Sequence, residues 1–381
     1  MSRRGARLLL AACVAACPST LRAQDTTQAY PWRLSYFPYI TAEPDNGVMA
    51  MGRVTWFQQS RWDARTSVDR QVTVEGGYST RDSWLLRVQA DLPHLTPGWR
   101  FQVVGEAEHR NFAELAAFGF GPEVPADAWS RQSAEGEVTR TIAGPVALAV
   151  RAGWVRASEF SGSEVSETDI DTRGRVALVV DLRDREYDTR SGALLQAGYI
   201  VGSIEGTYHG SYALASGWLP LGSATRLSAR AGYRWLSAGT GAEIVGHGGA
   251  SPDAWRTIPG WEDEFVVGGF QSDRAVPPGY LADRRVYLAS AEARHDLVTF
   301  PGGALTLLAF VDAGRSGTDY VYFLEDPHAN ATPLTQGPLQ DWVVGGGGGL
   351  ALRLLRSAQL TATLGRAAGA TQFYLQSGWS W

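Results

Sequence analysis

Strict alternation of apolar and polar residues constrains the fold of this chain more than any other feature. In segment 225–235, one parity is apolar and the other carries three arginines, Arg226, Arg230 and Arg234. Because successive side chains of a strand point to opposite faces, this segment has one apolar face and one charged face. Three arginines on a strand face suit the wall of a watery lumen better than a packed soluble core. Segments 99–108 and 172–184 repeat the pattern.

The last ten residues, Gln372 to Trp381, carry the same alternation to the end of the sequence. They place Phe373, Leu375, Trp379 and Trp381 on one parity. A free terminus of a soluble domain usually frays into water, whereas a transmembrane strand favours aromatic residues where it meets the membrane interface. We therefore predict that this segment is the closing strand of a barrel and that it pairs with residues near 34–43.

The N-terminal stretch predicts export. Arginines at 3, 4 and 7 precede an apolar run from Leu8 to Ala16, and Leu21-Arg22-Ala23 fits a signal-peptidase site, so residues 1–23 are interpreted as a cleaved signal peptide. Cys13 and Cys17 also allow a lipoprotein interpretation, which stays open. Cleavage after Ala23 would leave a mature chain without cysteine and therefore without disulfides.

The mature chain is predicted to be one domain, with a short leader at 24–33 and a barrel at 34–381. Beyond the signal, no apolar run approaches the ~18 residues of a membrane helix, so a membrane location would require a closed barrel. Turn signals divide the chain into about 16 strands. If residues 358–381 form a hairpin, segment 262–270 belongs to a long loop and the count is unchanged.

The connections between these strands differ in length. The long ones are predicted at 113–128, 160–171, 239–282 and 316–341, and they alternate along the chain with short turns. Outer-membrane barrels have short periplasmic turns and long extracellular loops. The expected fold is therefore all-β, a transmembrane antiparallel β-barrel of the bacterial outer membrane.

Three stretches resemble motifs of the bacterial surface antigen superfamily, the BamA/TamA type of outer-membrane assembly and translocation barrels. One is Phe310-Val311-Asp312-Ala313-Gly314. A second is Gly268-Gly269-Phe270 followed by Arg274 and Gly279-Tyr280. The third is Asp181-Leu182-Arg183-Asp184 with Gly192 after it.

The sequence also departs from that family in three ways. Residues 275–278 separate Arg274 from the following Gly and aromatic, and Asp188 stands where Pro is common. Only about ten residues lie between the expected cleavage site and the first strand, fewer than a POTRA domain needs. The chain therefore resembles the branch of the family that lacks N-terminal POTRA domains.

The resemblance implies that loop 239–282 folds into the lumen and is held there by Arg274. A guanidinium in a confined, poorly hydrated space is costly unless carboxylates bind it. Alternation directs Asp312 inward, and Glu292 lies on a neighbouring segment with Ser290, Arg294 and Asp296 on its parity. Both acids are expected partners of Arg274. The alternative is that they pair only with arginines of the wall.

The function implied by the resemblance is insertion or translocation of proteins or lipids at the outer membrane. The expected partners are outer-membrane lipids and client polypeptides or lipids, and homo-oligomerisation stays open. The last strand, here Phe373 to Trp381, also resembles the C-terminal signal that the outer-membrane assembly machinery recognises in this family. The alternative function is a passive pore or an adhesive surface antigen.

Other classes of function have little support. The net charge is -5 and no basic tract occurs, which argues against nucleic acid. The six histidines are dispersed, and no catalytic set or metal-ligand spacing is recognisable, so neither an enzyme nor a metal or cofactor site is expected. The run Gly345–Gly349 lacks the Lys-Ser/Thr of a phosphate loop, and we interpret it as a place of close packing or curvature in the wall.

Overall fold

The computed structural model describes the chain from Tyr30 to Ser377 with interruptions. The described ranges are 30–43, 47–60, 65–111, 128–161, 164–204, 206–237, 274–275, 285–301, 303–316, 342–354, 358–367 and 370–377. The expected signal peptide and segment 262–270 lie outside them. No helix in these ranges has the length and apolar character needed to cross a membrane.

Sixteen antiparallel strands form one closed barrel in which each strand pairs with its neighbours in sequence, and β1 pairs with β16. The strands are β1 (Trp32–Glu43), β2 (Gly47–Gln59), β3 (Val68–Ser79), β4 (Trp84–Thr96), β5 (Trp99–Asn111), β6 (Ala128–Ala143), β7 (Val146–Ser161), β8 (Glu164–Asp181), β9 (Gly192–Ile204), β10 (Gly206–Pro220), β11 (Thr225–Leu236), β12 (Arg285–Phe300), β13 (Gly303–Ser316), β14 (Val343–Leu354), β15 (Ala358–Ala367) and β16 (Ala370–Ser377). The predicted all-β antiparallel barrel and its strand number are confirmed.

The two ends of the barrel differ. One end holds the connections after the even-numbered strands, each of ten residues or fewer, and we call it the short-turn end. The other end holds the connections after β5, β11 and β13, which span the long segments of the chain, and we call it the long-loop end. The hairpin interpretation of 358–381 is confirmed, because β15 and β16 are separate strands joined by two residues.

One predicted loop is wrong. Residues 160–171 were expected to form a long connection, but β7 extends to Ser161 and β8 begins at Glu164. The two strands stay paired almost to the turn, with a register shift between Glu159 and Phe160. Main-chain hydrogen bonding does not require apolar side chains, so a polar sequence extends this hairpin where apolar alternation has already ended.

Side chains divide cleanly between the two surfaces of the wall. On β11, Arg226, Arg230 and Arg234 are buried, whereas Leu227 on the opposite parity is 38% exposed. The same division holds on β13, where Asp312 is fully buried and Val311 is 53% exposed. The interior of the barrel is therefore charged and the outer surface apolar, as the alternation predicted.

The glycine run of β14 is also divided by parity. A Cβ added at Gly345, Gly347 or Gly349 would overlap neighbouring atoms, and for Gly347 and Gly349 these are main-chain atoms of β15. A Cβ at Gly346 or Gly348 would instead meet one carbonyl oxygen of β13 at 3.2 Å. The inward-facing glycines therefore allow the main chains of β14 and β15 to approach each other closely, which a side chain would prevent.

Gly349→Ala is expected to destabilise the barrel, because its methyl group would overlap the main chain at Ala362 and Thr363. Overpacking of this kind typically costs ~1–3 kcal/mol of unfolding free energy. Gly348→Ala is the matched control, since its neighbour on the outer side lies farther away. Urea unfolding in detergent micelles, followed by Trp fluorescence, measures both. Equal stability of the two variants would contradict the close approach of β14 and β15.

Candidate functional site

Arg274 is fully buried against the interior side of β12 and β13. Its Nε donates to Asp312 at 2.9 Å and its Nη2 donates to the other carboxylate oxygen of Asp312, also at 2.9 Å. The main-chain N–H of Arg274 donates to Asp312 as well, at 3.0 Å. Nη1 forms an ion pair with Glu292. Two strands thus supply two carboxylates to one guanidinium.

An aromatic ring completes the surroundings of Arg274. The guanidinium carbon lies 3.8 Å from the centre of the Phe310 ring. Phe310 and Asp312 share the inward parity of β13, and Glu292 stands directly opposite Phe310 on β12. The three side chains therefore follow from one strand register. A guanidinium stacked on a ring and bound by two carboxylates has charge compensation and packing at once.

Small residues make room for the main chain at this point. A Cβ at Gly345 would overlap Ala275, and a Cβ at Gly365 would meet the carbonyl oxygen of Arg274 at 2.6 Å. Gly345 lies opposite Asp312 across β13 and β14. The main chain at Arg274 and Ala275 consequently lies directly against the inner wall, where glycines of β14 and β15 carry no side chain.

The sequence anticipated only part of this arrangement. Glu292 binds Arg274 and also Arg294, a wall arginine of its own strand, so the two expected kinds of pairing coexist at this carboxylate. Gly314 lies on the same strand face as Asp312, opposite Leu288 of β12. Gly268, Gly269, Gly279 and Tyr280 lie outside the described residues, so the course of loop 239–282 as a whole stays a prediction. We call Arg274, Glu292, Phe310 and Asp312 the arginine site.

The third motif lies at the short-turn end, where residues 182–191 join β8 to β9. Asp181 is bound by Arg183 at 2.9 Å and by Arg65 of the β2–β3 connection at 2.9 Å. Asp184 accepts a hydrogen bond from the main-chain N–H of Arg190 at 3.0 Å. The motif thus fixes the fold of its own connection and ties it to a neighbouring one.

The same connection reaches strands on both sides of β8 and β9. Glu186 binds Arg100 of β5 at 2.7 Å, and its main-chain N–H donates to Arg65 at 2.9 Å. On the other side, Arg190 binds Asp296 of β12 at 2.8 Å. Asp188 binds Arg226 of β11 at 2.6 Å and pairs with Arg353 of β14. Residues 182–191 therefore bridge the short-turn end from β5 to β14, and we call them the mouth bridge.

Asp188 is the centre of the mouth bridge. It is almost fully buried, and its backbone has a φ of 46°, in the left-handed region that Asp tolerates better than most residues. Sequence reasoning noted Asp188 only as a departure from the family. The density of acids and arginines between 181 and 190 was the available signal, but their partners on β5, β11, β12 and β14 are distant in sequence.

The closing strand has its expected orientation where it is described. Phe373 of β16 is 49% exposed on the outer surface, and Tyr374 is buried inside. Leu375 pairs with Ala42 of β1, within the segment expected to receive the last strand. Trp379 and Trp381 lie outside the described residues. Within the described ranges, no group of His, Cys, Asp and Glu is arranged to hold a metal ion.

Arg274→Ala is expected to lower the unfolding free energy by ~3–5 kcal/mol, because it leaves two buried carboxylates without their shared cation. Arg53→Ala is the matched control. Arg53 also binds a wall carboxylate, Glu75 at 2.6 Å, but its side chain is 23% exposed, so water compensates part of the loss. Chemical unfolding in micelles compares the two variants.

The coupling within the arginine site is tested by adding Asp312→Ala to Arg274→Ala. The double variant is expected to lose clearly less stability than the sum of the single variants, because removing both partners leaves fewer unpaired charges. Additive losses would show that the two side chains act independently, contrary to their three hydrogen bonds.

Asp188→Asn is expected to destabilise the mouth bridge by ~3 kcal/mol while retaining a side chain that tolerates positive φ. Asp82→Asn is the control, since Asp82 also has positive φ, at 58°, but is exposed at the opposite end of the barrel. Its effect should stay within ~0.5 kcal/mol. Hydrogen exchange of residues 182–191 measures the local change. Unaltered protection in Asp188→Asn would contradict the role assigned to its ion pairs.

No protein-family model matches this sequence. A search of curated proteins gives no match either.

Solved structures with the same fold do exist. BamA from Haemophilus ducreyi, lacking POTRA domains 1–3, is similar at 11% identity with a TM-score of 0.54, over 91% of this chain and 70% of that one. CdiB from Escherichia coli is similar at 12% identity with a TM-score of 0.59, over 92% of this chain and 63% of that one. CdiB from Acinetobacter baumannii is similar at 13% identity with a TM-score of 0.52, over 92% of this chain and 66% of that one. This chain thus spans about two thirds of the length of each, and it has the 16-stranded barrel fold of the BamA and CdiB proteins.

Proposed function

We propose that this protein is a transmembrane barrel of the bacterial outer membrane, and that it inserts or moves polypeptides or lipids at an opening between β1 and β16. The outer surface supports the membrane location. Large apolar side chains such as Val311, Leu364 and Phe373 are exposed there, a surface that water would disfavour and lipid would accommodate. The fold shared with BamA and CdiB is consistent with this location.

The pairing between β1 and β16, which we call the seam, is the observation that carries the proposal. Among the described residues, the seam register is recorded at a single position, Ala42 opposite Leu375. On its other side, β1 pairs continuously with β2 from Trp32 opposite Gln58 to Glu43 opposite Gly47. Over the described residues, the main-chain pairing of the seam is therefore shorter than that of β1 with β2.

An opened seam would present the free main-chain edge of β1. Unpaired N–H and C=O groups of a strand edge can accept an incoming strand by edge pairing. A client polypeptide could therefore be templated on β1 and released sideways into the lipid. One side-chain bond, between Gln376 and Glu43, adds to the seam at the long-loop end. The arginine site would meanwhile tie β12 to β13.

The alternative of a passive pore has less support. A solute crossing along the barrel axis would have to pass the mouth bridge, whose ion pairs link β5, β11, β12 and β14. Lateral opening at β1 and β16 requires no such displacement. An adhesive surface antigen would depend on the long loops, of which the described residues include only Arg274 and Ala275 of 239–282.

A disulfide across the seam tests the proposal. Ala42→Cys with Leu375→Cys places two cysteines directly opposite each other on the outer face, at a spacing that a disulfide can bridge. Ile40→Cys with Ala50→Cys is the matched control across β1 and β2. In cells lacking the native gene, the seam-locked variant should fail to restore the levels of other outer-membrane proteins or surface lipids. The control variant should restore them, and reductant should rescue the locked form.

Two outcomes would contradict the proposal. One is full restoration by the seam-locked variant, with the disulfide shown to be intact by its mobility on non-reducing gels. The other is a deletion strain with unchanged outer-membrane proteins and lipids, together with ion conductance by the purified barrel in planar bilayers. The second outcome would favour the passive pore.

A further inference from the structure

At the long-loop end, β8 extends beyond its neighbour β9. On the side of β7, its pairing continues to its first residue, where Glu164 lies opposite Ser161. On the side of β9, the pairing begins only at Thr172, opposite Ser203, because β9 ends one residue later and the chain turns into β10. Residues 164–171 therefore have one edge paired with β7 and, among the described strands, no partner on the other. We call this segment the raised edge.

Two residues of the raised edge direct main-chain groups to its open side. The N–H of Leu182, just after β8, donates to the carbonyl oxygen of Ala193 in β9 at 2.7 Å. Main-chain groups of successive residues point to opposite sides of a strand, so even-numbered residues of β8 point toward β9. The register shift of the β7–β8 pair lies beyond Thr168, nearer the tip of the hairpin. Thr168 and Ile170 therefore each direct one N–H and one C=O away from β7.

The raised edge lies above the level at which aromatic residues mark the membrane surface. Trp154 of β7 stands opposite Thr172 and is 40% exposed. Trp residues collect at the height of lipid headgroups. Ile170 and Thr168 follow two and four residues farther along the strand, roughly 7 and 13 Å at ~3.3 Å per residue. Unpaired main-chain groups are costly in hydrocarbon but are solvated in water, so a partner would reach this edge from the aqueous side.

The sequence around the raised edge is acidic. From Glu164 to Ile170 it contains three acids and no basic residue, and the facing part of β7 contributes one arginine, Arg156, and one acid. The three long connections at the same end, residues 112–127, 237–284 and 317–342, contain fourteen acids and three arginines. One of these arginines, Arg274, is bound inside the barrel. The charge at this end favours a partner with basic residues.

A second copy of this chain fits the raised edge poorly. Antiparallel pairing of two such edges would bring acids of one strand against acids of the other, and like charges directly opposite are destabilising. Charged residues on an edge strand protect it in this way from pairing with itself. They leave its main-chain groups available to a strand of opposite charge. An extended segment with basic residues would satisfy both the main chain and the charge.

We propose that the raised edge binds an extended, arginine- or lysine-rich segment of another polypeptide at the cell surface, and that the segment joins the sheet as an added strand beside β8. Thr168 and Ile170 supply the main-chain hydrogen bonds, and the acids supply the preference for positive charge. The inference rests on the proposed membrane location, with the long-loop end outside the cell. It does not depend on the opening of the seam.

A short peptide of alternating threonine and arginine tests the proposal. The labelled peptide is titrated into the purified barrel in zwitterionic detergent, fluorescence anisotropy gives the Kd, and hydrogen exchange measured by mass spectrometry follows residues 164–171. Binding should slow the exchange of the raised edge. A peptide with glutamate in place of arginine should not bind. Nor should a peptide that keeps its arginines but is N-methylated along one edge, because it cannot pair as a strand.

Thr168→Pro is the variant that separates strand addition from charge attraction. It removes an N–H on the open side of β8 and leaves every charge in place. The Kd should rise about tenfold, the effect of losing one to two main-chain hydrogen bonds. Thr168→Ala is the matched control, since it keeps the N–H and should bind as wild type does. A heat-dependent mobility shift on gels verifies that each variant is folded.

The outcomes distinguish this inference from the proposed function. Equal binding of the N-methylated and unmodified peptides would overturn strand addition. Protection of Thr168 and Ile170 from exchange in the barrel alone would also overturn it, because the edge would then be occupied within the chain or by a second copy. The disulfide between Ala42→Cys and Leu375→Cys should leave peptide binding unchanged, so failure of the seam proposal does not affect the raised edge. Failure of wild type to insert into phosphatidylcholine vesicles would overturn the membrane location and this inference with it.

Discussion

The burial of many charges in a closed barrel is the constraint on which the rest of this structure depends. Many inward arginines meet a carboxylate within reach, and breaking a buried ion pair costs several kcal/mol. The wall forms such pairs between neighbouring strands, as in the pairs of Arg53 with Glu75 and Arg151 with Glu137. A slip of one residue in register would turn these charges outward. Ion pairing therefore fixes the register as well as the interior.

Two places exceed this local pairing and tie distant parts of the chain together. At the arginine site, Arg274 joins a segment of the long connection between β11 and β12 to carboxylates of β12 and β13. At the mouth bridge, Asp188 joins the β8–β9 connection to β11 and β14. Both involve the part of the wall from β11 to β14. The seam between β1 and β16 lies outside this part of the wall.

The features that follow from strand alternation could be predicted from the sequence, and those that depend on distances across the barrel could not. Parity alone identifies the inward positions of Asp312 and of the arginines on β11, because the period of a strand is two. It does not identify the partners of Asp188, since Arg226 and Arg353 become its neighbours only when the barrel closes. The wrongly predicted loop at 160–171 has a related cause, because strand pairing continued where apolar alternation stopped.

The mouth bridge and the seam together restrict how material could cross this protein. Axial passage would separate Asp188 from Arg226, a buried ion pair, and Glu186 from Arg100, a pair that is about a quarter exposed. Opening at the seam breaks main-chain bonds that an incoming strand can replace one for one. In the proposed function, the cost of opening the seam is recovered when an incoming strand pairs with its edge. This distribution of bonds is consistent with the proposed lateral movement at the seam.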